Sequence, residues 1–153
     1  MKPITVFAFI LLTFHFAYGQ TNKETQKIVE EILTITEKYN QTWETLNMEK
    51  VAKFHSDSSF RYYRNMKLSV GNNEEFKKTY SQIMKGAKSW TIKVINPVVQ
   101  VLSGKAAVIS FTAKAEAISN DNEISDNGTG AYTYVWKKTN DQWKIIHIHE
   151  STK

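Results

Sequence analysis

No cysteine occurs anywhere in the 153 residues. Its absence excludes disulfides, Cys-ligated zinc, iron–sulfur clusters, thiol catalysis and a lipid-bearing N-terminal Cys. A commanding charge of one sign is missing as well. The 20 Lys and Arg stand against 15 Asp and Glu and are scattered rather than gathered in a stripe, which argues against a nucleic-acid partner. No internal repeat, low-complexity tract or HExxH-type pair of helical metal ligands is present, and neither a metal nor a cofactor is expected. What is present is 41% apolar and 12% aromatic, with four Trp, a mixture that can bury enough surface to offset chain entropy. The length suits one domain with a real core. With no covalent staple, packing must hold that domain together.

Residues 1–19 read as an export signal. Lys2 precedes an uncharged run from Ile4 to Tyr18, and Ala17-Tyr18-Gly19 places small residues at minus three and minus one of a cleavage point after Gly19. The run is shorter than the roughly 20 apolar residues a membrane span needs, and no basic stop-transfer cluster follows. Residues 20–153 are therefore expected to form a secreted or periplasmic domain without a membrane anchor. Its lack of disulfides suits a bacterial envelope.

Helices come first and a sheet follows. Ile28, Ile32, Ile35, Tyr39, Trp43 and Leu46 fall at steps of three and four, so one face of a long helix from about Glu24 to Leu46 must meet a core. Asn47 can cap a short second helix with Val51 and Phe54 inward. Ser59 to Arg64 and Leu68 to Val70 look extended. Gly71-Asn72-Asn73 makes a turn and cap for a third helix, Glu74 to Lys85, with Phe76, Tyr80, Ile83 and Met84 inward and Gly86 as its stop. Strand-like stretches follow at Ser89–Leu102, Ala106–Ile118, Thr129–Lys138 and Trp143–Glu150. Ser103-Gly104 and Asn140-Asp141 read as hairpin turns, Pro97 predicts a bulge, and Asn120 to Gly128 reads as a polar loop. The result is an α+β domain with the long helix laid across a curved, antiparallel meander.

Val135-Trp136 is followed by Trp143 and then His147-Ile-His149-Glu150-Ser151. This resembles the closing hairpin of the association domain of calcium/calmodulin-dependent protein kinase II, and Ile95-Asn96-Pro97 and Gly104-Lys-Ala106 resemble it too. The resemblance covers most of the chain after residue 19 in element order, and only these stretches in residue identity. It implies the nuclear transport factor 2-like superfamily, shared with SnoaL-type cyclases: a cone of three helices on a strongly bent sheet. It implies no reaction, because that fold hosts enzymes, binders and assembly modules. The kinase domains carry Arg where this chain has Glu150, so their anion-friendly pocket does not carry over. No Tyr and pair of Asp match a ketosteroid isomerase.

A two-residue turn at Asn140-Asp141 would pair Trp136 with Ile145, Tyr134 with His147 and Tyr132 with His149. That register puts three aromatics and both imidazoles on one face, with Val135, Ile146, Ile148 and Glu150 on the other. The aromatic face then forms either a subunit interface, as sheet backs do in dimers of the superfamily, or the wall of the cone's cavity. His147 and His149, about 7 Å apart on a strand, have a spacing a metal could use, but hydrogen-bonded imidazoles explain them more simply. Candidate acid–base residues are His55, Asp57 and His147; as a turn residue, Asp57 would instead satisfy nearby backbone N–H groups. Candidate ligand contacts are Tyr39, Trp43, Tyr62, Arg64, Trp90, His149 and Glu150, with Tyr39 and Trp43 equally explicable as core. Phe60, Tyr62 and Arg64 alternate onto one side of their strand, from which Arg64 could clamp a carboxylate. Three functions fit: an exported, dimerising domain binding a small apolar or carboxylate-bearing molecule; a cofactor-independent isomerase, dehydratase or cyclase; or a homo-oligomeric association module.

Overall fold

The computed structural model describes the backbone from Ile4 to Thr152, and side chains at residues 22–123 and 128–152. The leader expected at residues 1–19 lies outside the residues described with side chains. In chain order the elements are α1 (Ile4–Trp43), α2 (Met48–Ala52), β1 (Arg61–Arg64), β2 (Lys67–Val70), α3 (Asn73–Lys85), β3 (Ala87–Ser103), β4 (Ala106–Ser119), β5 (Ile124–Thr139) and β6 (Gln142–Thr152). One sheet holds the strands in the order β2-β1-β6-β5-β4-β3. Every pairing is antiparallel except β1 with β6, which is parallel. The expected α+β class, helices followed by a mainly antiparallel curved sheet, is what the chain adopts.

The helical stripe meets the sheet as its spacing requires. Ile28, Ile32, Tyr39 and Trp43 are buried, and α1 lies over β3 and β4. Leu46 is not on the helix. α1 ends at Trp43, three one-turn bonds follow it (Glu44 to Gln41, Thr45 to Thr42, Leu46 to Trp43), and Leu46 sits at φ 50°, a left-handed conformation that cannot continue a helix. Near its middle α1 is clamped to the β5–β6 hairpin: Trp143 Nε1 donates to Glu31 Oε2 at 2.8 Å, and Lys138 Nζ reaches the same oxygen at 3.4 Å.

Both Asn caps form as expected. Asn47 Oδ1 accepts from Lys50 N at 3.1 Å, and Asn72 Oδ1 from Glu75 N at 2.8 Å, each satisfying a donor that the first helical turn leaves open. On α3 the residues Phe76, Tyr80 and Met84 point inward, whereas Ile83 is 48% exposed. These positions share one helical face, and Ile83 lies at its edge, on the rim of the sheet's hollow side.

In the sheet, the register shifts between Ile95 and Val98, with Asn96 at φ 51°. This is the bulge expected at Pro97. Asn140 and Asp141 both have positive φ and close a two-residue turn between Thr139 and Gln142, the primed geometry that matches strand twist. The polar stretch after Asn120 is shorter than expected. β5 begins at Ile124 and pairs with β4 from Ile118 onward, because backbone ladder bonds do not require apolar side chains.

β4 supplies the shape of the core. Its inward residues are Ala107, Ile109, Phe111, Ala113, Ala115 and Ala117, all buried. Three successive inward alanines leave a hollow that larger side chains would fill. The stripe on α1 should be testable directly: Ile32→Ala should destabilise the chain by about 3 kcal/mol, while Leu33→Ala, at the exposed edge of the same turn, should change it by less than about 0.5 kcal/mol. Urea unfolding followed by tryptophan fluorescence measures both.

Candidate functional site

The hollow beside the β4 alanines is a cavity of ≈ 220 Å³. Trp43 of α1, Tyr62 and Arg64 of β1, Phe76, Tyr80 and Ile83 of α3, and Trp90 and Ile92 of β3 line it. So do Tyr39 of α1, Ala115 and Ala117 of β4, Tyr132 and Tyr134 of β5, and Ile148 and Glu150 of β6. The rings form a continuous wall. Trp43 lies 5.3 Å from Trp90 and 5.5 Å from Tyr80, and Tyr80 lies 6.0 Å from Tyr62, centroid to centroid.

Glu150 reaches this wall through a change of register. Trp136 faces Ile145 as the turn predicts, but Val135 then faces His147, Tyr134 faces Ile148 and Tyr132 faces Glu150. Ile146 is the unpaired residue of a bulge, and every residue after it changes side. The expected pairing of Tyr134 with His147 and Tyr132 with His149 is thereby corrected. Both histidines lie on the outer face, away from Tyr132, Tyr134 and Trp136, and Ile148 and Glu150 lie inside rather than beside Val135.

The Glu150 carboxylate is buried, at 7% exposure, and each of its oxygens has a partner. Its Oε2 accepts a short hydrogen bond from the Tyr62 hydroxyl, and its Oε1 is 3.1 Å from Arg64 Nε. Burial, then the neighbouring Tyr80 and Glu150, holds the Tyr62 phenol protonated far above the ordinary range. The two charges differ in setting: the Arg64 side chain is 42% exposed and the Glu150 side chain 10%. Phe60, Tyr62 and Arg64 do share one side, as their alternation implied.

Behind the Tyr39 wall runs a second polar arrangement. Asn73 Nδ2 donates to Ala52 O at 3.2 Å and to Asp57 Oδ1 at 3.1 Å, so its Oδ1 must be the acceptor toward His55 Nδ1, 3.0 Å away. His55 Nε2 is then unprotonated and accepts from the Tyr39 hydroxyl at 3.1 Å. The ring is stacked on Phe60 at 3.9 Å. Tyr39, His55 and Asn73 thus donate in one direction, from the cavity wall toward the Asp57 carboxylate, which accepts the last bond, and the chain joins α1, the α2–β1 loop and α3.

Of the acid–base candidates, then, His55 is buried behind the cavity with both nitrogens committed. Asp57 is on the far side of Asn73, and His147 is on the outer sheet face, stacked 5.4 Å from Tyr63. Burial, then His149, pulls the His147 pKa down. Of the ligand-contact candidates, Tyr39, Trp43, Tyr62, Arg64, Trp90 and Glu150 line the cavity, and His149 does not. Tyr80 is a cavity residue that the sequence presented only as core, whereas Tyr132 and Tyr134 line the cavity as one of the two alternatives for their face allowed. Ala115 and Ala117 gave a usable signal, small residues at alternate positions of a strand. Among the described residues no group of three His, Asp or Glu stands together to hold a metal.

The model of the family described as calcium/calmodulin dependent protein kinase II association domain matches residues 28–153. The chain belongs to this association-domain family. Solved structures agree on the fold. The association domain of the Caenorhabditis elegans kinase superposes with a TM-score of 0.68 at 17% identity, over 83% of this chain and 97% of that one. A nuclear transport factor 2-like superfamily protein from Salmonella enterica gives 0.68 at 24%, over 86% and 92%. A proposed scytalone dehydratase from Novosphingobium aromaticivorans gives 0.75 at 14%, over 86% and 88%. At such identities the likeness is one of fold. No curated protein matches the sequence.

The His55 arrangement generates a pH test. Burial pushes the folded-state pKa of His55 down from 6.5 to about 3. Between those values the unfolded chain binds a proton that the folded chain refuses, so stability falls as the pH drops through that window, by at most about 1.4 kcal/mol per pH unit. Denaturant titrations from pH 7 to pH 3.5 should show this slope. His55→Asn should lower stability at pH 7 and lose that part of the slope.

Proposed function

We propose that this member of the association-domain family is an exported domain that binds a small, largely apolar molecule inside the cone and works as a homodimer. One observation carries the binding reading: the hollow that alanines leave at 115 and 117 is walled by aromatic residues from α1, β1, α3, β3 and β5 instead of being filled. A packed interior ordinarily leaves few voids larger than a water molecule, and enclosed, mostly apolar cavities with a few polar groups are where small ligands bind. A proton-transfer enzyme has less support, since His55, Asp57 and His147 all point elsewhere. Trp43 and Trp90 report on occupancy. A panel of neutral bicyclic aromatics should quench or shift tryptophan emission and raise the melting temperature. Ala115→Leu, which fills the hollow, should abolish that binding by at least about tenfold while keeping or raising the melting temperature. Binding that survives Ala115→Leu, or a panel with no ligand, defeats the reading.

The dimer reading rests on the outer sheet face. Gln100, Val108, Val135 and His147 form one row across the strands there, and Val98, Ser110, Thr133, His149 and Tyr63 the next. Val98 is 59% exposed, and the family model and the Caenorhabditis elegans neighbour are both named association domains. Export rests on residues 1–19. Recovered from a bacterial envelope or medium, the chain should begin at Gln20 and scatter light as a dimer, and Val135→Glu should give a monomer that still binds the panel. An uncleaved Met1, or a wild-type monomer at micromolar concentration, counts against the respective part.

A further inference from the structure

Two features of the cavity single out a ligand charge. The first is the asymmetry of the Arg64–Glu150 pair. The carboxylate is the buried member, and the guanidinium approaches from the rim with its side chain 42% exposed. Water screens a charge at the rim better than one inside, so the pair turns its less screened, negative member toward the hollow. The second is the wall. Trp43, Trp90, Tyr80, Tyr62, Tyr132 and Tyr134 surround the space next to that carboxylate, and aromatic rings carry a negative face that attracts cations and does nothing for anions. A box of tryptophan and tyrosine rings with one buried acid is the arrangement that stabilises a substituted ammonium group, whose weak hydration makes it cheap to remove from water.

We infer that the cavity takes an organic cation: a small apolar body carrying a substituted ammonium group that lies among the rings and faces Glu150. This rests on the small-molecule reading of the same cavity and narrows its ligand class. It also reassigns Arg64. Instead of clamping a ligand carboxylate, its guanidinium competes with the ligand for Glu150, so removing it should help the cation.

The test uses the whole mature chain and three probes of similar size: phenyltrimethylammonium, its neutral isostere tert-butylbenzene, in which carbon replaces nitrogen, and phenylacetate. Titrations are followed by tryptophan emission and calorimetry. The cation should bind about tenfold more tightly than the isostere. Glu150→Gln, which can still accept from Tyr62, should bring the two within about twofold, and Arg64→Gln should tighten the cation further. If the isostere binds as well as or better than the cation, the inference falls and the apolar-cavity reading stands. If phenylacetate binds best, Arg64 governs the site and the inference falls. If none of the three binds and the neutral bicyclic panel fails too, both fall. Should either variant fail to fold, the comparison of the three probes on the wild-type chain decides alone.

Discussion

One unpaired residue, Ile146, decides what the inside of this molecule is made of. A strand alternates its side chains with a period of two, so an extra residue exchanges the faces of everything beyond it. Before the bulge Ile145 packs into the core, and after it Ile148 and Glu150 do so while His147 and His149 turn outward. Without the bulge the two imidazoles would stand among Tyr132 and Tyr134, and the carboxylate would lie in solvent. The chemistry of the cavity, an acid among rings rather than a base among rings, follows from that register.

The hollow depends on a second, subtler constraint. Ala113, Ala115 and Ala117 line the inner face of β4 where valine or isoleucine would suit a strand better. The void they leave forfeits dispersion contacts, and the rings opposite are held apart by bonds that would be lost if the wall collapsed. Tyr39 is fixed by His55, Tyr134 by Asn40 at 3.3 Å, and Tyr62 by Glu150. Each of these buried hydroxyls has a partner, which is what makes burying it tolerable. The polar tips of the wall are tied to three different parts of the fold: the α2–β1 loop, α1 and β6.

The same scaffold is shared by proteins named for assembly and proteins named for catalysis, and in this chain it puts the cavity and the outer sheet face on opposite sides. The concave side of the sheet, under α1, encloses the cavity, and the convex side offers a row of β-branched residues, Tyr63 and the two histidines. Because adjacent residues on a strand point to opposite sides, one stretch such as His147–Glu150 contributes to both. A substitution on one side need not disturb the other.

Local periodicity and chain chemistry were sufficient for the helices, caps and turns and for the α+β class, but not for the parallel pairing of β1 with β6. The stripe Ile28, Ile32, Tyr39, Trp43, the caps at Asn47 and Asn72, the primed turn at Asn140-Asp141 and the bulge at Pro97 are each dictated by residues within a few positions of one another, and each is found where those residues put it. Most of the cavity wall was legible for the same reason, since Tyr62 and Arg64 alternate onto one side and Tyr39 and Trp43 share a helical face. The placement of His147, His149 and Glu150 was not. A bulge opposite Trp136 carries no Gly or Pro to announce it, and it is settled by how β6 must fit β5 on one side and β1 on the other. His55 likewise looked like a free base until the fold brought Tyr39 and Asn73 against its two nitrogens from 16 and 18 positions away. Short-range rules fix which residues can share a face; only long-range packing chooses which face is enclosed and which groups meet there.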